Sequence, residues 1–176
     1  YDFSPAWTDG AQTAFLSASS TLEVQGIVNL EAWNPSPNLV LMSGNEFTVQ
    51  SDSTLSYQGG NLVLLSGGDF SASNAKLVAG GELSVMSMQN LNLAESTIEA
   101  KSARLQAASK LNLGTVGFSP DLSALYLQAT TINLSKVNFP SGSLIHMNSL
   151  KGAIDGKYPN FGSEARGRVN FIDDVK

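Results

Sequence analysis

The chain has 176 residues, 42% hydrophobic and 14% charged, with no cysteine and a formal net charge of −5. That length suits one domain with a continuous core. The acidic balance, with pI near 4.7, excludes nucleic acid as a partner, because phosphate binding needs clustered Lys and Arg. The lack of cysteine excludes disulfide frameworks and thiolate metal sites.

Residues 1–11 read as a lead-in or N-terminal cap. The chain begins with Tyr1 rather than Met, and we expect a mature or excised segment; no run has the apolar length of a membrane-spanning helix. From residue 12 to 149 short apolar-alternating runs recur. Ala14 to Leu16, Leu22 to Val24 and Val28 to Leu30 open the series, and Trp33-Asn34-Pro35-Ser36-Pro37 interrupts it as an exposed corner loop, since proline cannot donate to a central ladder.

Beyond that loop three columns keep step. The first runs through Leu39-Val40-Leu41, Leu62-Val63-Leu64, Leu83-Ser84-Val85, Ala103-Arg104-Leu105, Leu125-Tyr126-Leu127 and Ile145-His146-Met147, at steps of 23, 21, 20, 22 and 20 residues. The second runs from Phe47-Thr48-Val49 through Phe70, Leu91 and Leu111 to Ile132-Asn133-Leu134. The third holds Leu55, Leu77, Ile98, Phe118 and Phe139. A constant period near 20 residues is the signature of a solenoid. In a strand, residues i and i+2 share a face, so Leu, Val, Phe and Ile point inward and Thr, Ser and Asn outward. Gly-containing segments at 43–45, 59–60, 66–68, 80–81 and 141–142 supply the corners, and we expect them to use positive φ.

No stretch sustains the i, i+3, i+4, i+7 spacing of a helix. A β-sandwich also has short strands with regular turns, but a Greek key has no reason to keep one step in three columns. The predicted fold is therefore an all-β, right-handed, single-stranded parallel β-helix of about six coils of three strands. Residues 150–176 leave the repeat. They carry Lys151, Lys157, Arg166 and Arg168 and read as a C-terminal cap, with Gly167-Arg168-Val169-Asn170-Phe171-Ile172 as a closing strand or as an addition to the next subunit's edge.

Asn38-Leu39-Val40-Leu41-Met42-Ser43-Gly44, Asn61-Leu62-Val63-Leu64-Leu65-Ser66-Gly67, Leu91-Asn92-Leu93 and Leu111-Asn112-Leu113 resemble the filamentous-haemagglutinin type of repeat found in bacterial surface and secreted adhesins. The resemblance implies a secreted or cell-surface location and a structural or attachment role, with the chain itself or a cell-surface glycan or protein as partner.

Catalysis needs acid, base and charge-stabilising groups that converge. Asp52, Asp69, Glu82, Glu95 and Glu99 fall in different columns and coils and read as solvated turn carboxylates. The glycine pairs sit at corners with no helix after them, and His146 has no evident Ser-His-Asp partners. We expect no enzyme, no cofactor and no metal, and read Asp173-Asp174 as a frayed terminus rather than a calcium site. Arg104, Tyr126 and His146 occupy the outward position of the first column in three successive coils, and are the candidate contact stripe for glycan or protein. Thr48, Ser71, Asn92, Asn112 and Asn133 form a polar ladder of stabilising amides; its Asn residues spoil the regular Thr array that ice binding would need. The leading expectation is a structural or adhesive module that presents surface and self-associates into fibres or matrix. The alternative is a carbohydrate-binding or polysaccharide-degrading β-helix.

Overall fold

Runs of three to six residues are too short to make a sheet with their neighbours in sequence, so each pairs with the equivalent run one coil away. A computed structural model describes residues 13–31, 37–157, 160–161 and 166–171. Among these the chain is all-β, and its parallel strands stack as a solenoid of about 6 turns.

The coils follow in chain order: β1 (Thr13–Ala18), β2 (Leu22–Val24) and β3 (Ile27–Asn29); β4 (Asn38–Ser43), β5 (Phe47–Val49) and β6 (Thr54–Tyr57); β7 (Asn61–Ser66), β8 (Phe70–Ser71) and β9 (Lys76–Ala79). Next come β10 (Glu82–Ser87), β11 (Leu91–Asn92) and β12 (Thr97–Glu99), then β13 (Ser102–Ala107), β14 (Lys110–Gly114) and β15 (Gly117–Phe118). After them β16 (Ala124–Ser135) runs through two faces as one strand and is followed by β17 (Asn138–Phe139). The last elements are β18 (Leu144–Lys157), β19 (Asn160–Phe161) and β20 (Arg166–Phe171).

The predicted columns are the observed registers. Ala14, Leu39, Leu62, Leu83, Ala103, Leu125 and Ile145 pair in succession on the first face. Leu22, Phe47, Phe70, Leu91, Leu111 and Ile132 do so on the second. Val28, Leu55, Leu77, Ile98 and Phe118 make the third, and Phe118 stacks on Phe139 with ring centroids 6.0 Å apart. These inward side chains form one core along the axis, most of them fully buried.

The corners depart from expectation. Among the described glycines positive φ occurs at Gly26 and Gly142; elsewhere it belongs to Asp52, Asn74, Glu95, Thr115 and Lys136, one per coil at the turn between the second and third faces. The glycine-rich corners answer a different need, which is space. A Cβ on Gly67 would collide with the carbonyl of Gly44 in the coil before, and one on Gly80 with the carbonyl of Gln58. Sequence shows that a corner wants glycine; it does not show whether dihedral or clearance makes the demand.

Buried serines hold the turn between the first two faces. Ser43, Ser66 and Ser87 occupy one inward register. The Ser66 hydroxyl lies 2.7 Å from both Asn45 O and Asp69 O, and that of Ser87 2.7 Å from Gly68 O and 2.8 Å from Asn90 O.

Past residue 149 the sequence stops repeating, yet the backbone ladder goes on: Ile132 pairs with Ile154, Phe139 with Phe161 and His146 with Arg168. The closing strand expected near 167–172 is β20. Residues 1–12 and 32–36 and Asp173-Asp174 lie outside the described residues, and with them the lead-in, most of the proline loop and the terminal aspartates. At the other end, Leu16, Leu22, Val24, Val28 and Leu30 line a cavity of about 800 Å³ in the mouth of the first coil.

Candidate functional site

Each long strand of the first face shows two outward registers near its middle. The register of Arg104 reads Phe15, Val40, Val63, Ser84, Arg104, Tyr126 and His146. Its neighbour two residues on reads Ser17, Met42, Leu65, Met86, Gln106, Gln128 and Asn148. The face therefore changes character along the axis. Its first four coils expose Phe15 (69%), Met42 (43%) and Met86 (37%), whereas from Arg104 onward both registers are polar.

The structure brings the three candidate residues together. The Arg104 guanidinium lies over the Tyr126 ring, 5.0 Å from its centroid. Tyr126 and His146 follow with centroids 5.9 Å apart and planes 34° tilted. Coil stacking at about 4.8 Å sets this spacing, and planar side chains on successive strands fill it, with cation–π attraction between the first two. Glu82 Oε1 stands 3.7 Å from Arg104 Nε, both side chains 43% exposed, so the pair contributes little. Beside the stack, Gln106 Nε2 donates to Gln128 Oε1 at 3.1 Å, and Asn148 Oδ1 in the same register is buried without a hydrogen-bond partner.

The second-face ladder is in register as expected, with Asn112 Nδ2 donating to Asn92 Oδ1 at 2.9 Å and Asn92 Nδ2 to Ser73 Oγ at 2.9 Å. On the third face Lys76 Nζ pairs with Glu99 Oε1 at 2.8 Å. The scattered carboxylates do not converge: among the described residues no three His, Asp or Glu side chains gather as metal ligands. No helix there is long and apolar enough to cross a membrane.

Two features escaped the sequence reading. One is the register of Met42, Leu65, Met86, Gln106 and Gln128; the signal was there, since alternation extends beyond the three-residue centre of each strand. The other is Tyr57, fully buried at the end of β6. Burial, and secondarily the Glu31 carboxylate, raise its phenol above the ordinary tyrosine range. No protein-family model, curated protein or solved structure matches the chain.

Proposed function

We propose that this chain is a structural or adhesive β-helix module of the filamentous-haemagglutinin-like kind, secreted or held at a bacterial cell surface. It works by presenting its faces and by joining end to end into a fibre or matrix. The observation that carries this reading is the edge of the first described coil. Among the described residues β1, β2 and β3 pair on one side only, with β4, β5 and β6. They surround the apolar mouth lined by Leu16, Val28 and Leu30. A strand edge paired on one side, beside half-buried apolar side chains such as Leu16 and Val28, is a template for further strands, and a head-to-tail contact that does not close propagates.

Sedimentation velocity over a wide concentration range tests it. Growth of assemblies with concentration, weakened by Val28→Lys at the mouth, supports the reading; a strictly monomeric profile throughout refutes it. The second reading, a carbohydrate-binding β-helix, is favoured by one observation: the stacked Arg104, Tyr126 and His146, flanked by the paired amides of Gln106 and Gln128.

A further inference from the structure

We propose that the polar half of the first face binds an extended anionic polysaccharide, a polymer of uronate or sulfated sugars, laid along the solenoid axis. The inference rests on the carbohydrate-binding reading and adds the ligand's charge, direction and mode of contact.

Charge comes first. The chain carries a net −5, yet positions 102–106, 124–128 and 144–148 hold Arg104 and His146 and no Asp or Glu, the nearby carboxylate being that of Glu82 in the coil before, 3.7 Å from Arg104 Nε and with its side chain 43% exposed. In the next strand Arg168 continues the register of His146 and Asn170 that of Asn148, with Arg166 opposite Leu144. An acidic molecule thus reverses sign along one row, and such a row attracts anions locally.

The stacking then decides how a sugar is met. The Arg104 guanidinium covers the Tyr126 ring and the His146 ring lies beside it at a 34° tilt, so the ring is not an open platform for the apolar face of a pyranose. What the row offers is edges and tips: guanidinium N–H groups, a phenol hydroxyl, imidazole nitrogens and the amides of Gln106 and Gln128. All of these side chains are half-buried. A guanidinium fork suits the two oxygens of a carboxylate or sulfate, and the neutral donors suit intervening hydroxyls. One planar polar group per coil, at about 4.8 Å, is a repeat close to the length of one sugar ring. A membrane surface would call for clustered Lys with inserting apolar groups, whereas among the described residues this half of the face holds no cluster of Lys and one exposed large apolar side chain, Leu144, with Phe15, Met42 and Met86 in other coils.

Affinity electrophoresis of the whole chain through polygalacturonate, dextran sulfate and neutral dextran tests this. We expect retardation by at least one of the two anionic polymers, relieved by salt, and none by neutral dextran. Arg104→Gln should weaken retention about tenfold, the loss of one charge-assisted hydrogen bond, with Arg104→Lys between the two. Lys76→Gln, on the third face, should leave retention unchanged, and circular dichroism should show all variants folded. Equal retention of Arg104→Gln and the parent overturns the proposal, as do equal retardation by neutral dextran or the absence of any retardation. Binding to anionic phospholipid vesicles without retention by either anionic polymer overturns it too. Binding by a chain that sediments as a monomer leaves this inference standing while end-to-end assembly fails.

Discussion

Phe47 and Phe70, one coil apart on the second face, are both buried and pack with ring centroids 5.0 Å apart at an interplanar angle of 37°. The next two residues of that column, Leu91 and Leu111, are aliphatic and equally buried. On this face the core therefore has its largest side chains in two adjacent coils and narrower filling beyond them.

Removing one ring leaves a void that the rigid ladder cannot collapse into. Phe70→Ala should destabilise the fold by about 3–5 kcal/mol, whereas Phe70→Leu, which copies the next coil, should cost far less. Urea denaturation of both variants checks the order. Equal losses would show that the site repacks freely.

Thr115 is a β-branched residue at φ 57°, a conformation that crowds its Cβ against the backbone. Thr115→Asn should stabilise by about 1 kcal/mol, because Asn tolerates this region. Asn74, at the equivalent turn with φ 51°, already has that advantage, and its amide lies 2.8 Å from Ser51 Oγ and 3.0 Å from Asp52 Oδ1. Asn74→Ala should therefore be destabilising. Thermal melts of the two variants, moving in opposite directions, are the expected result.

Gly67→Ala should cost about 1–3 kcal/mol, since its new methyl meets the Gly44 backbone and the coils must part to admit it. Gly117→Ala is the control, because its Cβ would make only ordinary contacts, the nearest being Thr97 Oγ1 at 3.7 Å. Similar losses at the two positions would show that clearance is not what the corner glycines supply.

These comparisons separate what was legible in the sequence from what was not. All three columns could be read because alternation and a common step leave one register in which the Leu, Ile and Phe of the columns are inward; a slip of one residue would turn each of them out. The row of Arg104, Tyr126 and His146 followed from the same register. Their stacking did not, because it depends on side-chain rotamers. Glu95 and Lys136 carry no compositional mark of a left-handed turn; Gly142 takes the positive φ expected of it, whereas Gly44, Gly60, Gly67 and Gly80 answer to contacts with another coil. The serines at 43, 66 and 87 looked like surface in a Ser-rich chain, but their hydroxyls bond turn carbonyls from inside.

Tyr57 supplies a prediction with a definite sign. Its phenol is desolvated first of all by burial and faces the Glu31 carboxylate, and both effects favour the neutral form and raise its folded-state pKa. The unfolded chain ionises it near pH 10. Its contribution to stability is complete below that value and falls away as pH rises through the higher folded-state value, because above pH 10 the unfolded state releases a proton that the folded state retains. Stability measured by urea between pH 8 and pH 11 should decline for the parent chain. Tyr57→Phe removes the ionisable group together with the hydroxyl's interactions, so it should start lower and decline less. Parallel curves for parent and variant would show that the alkaline loss does not come from Tyr57.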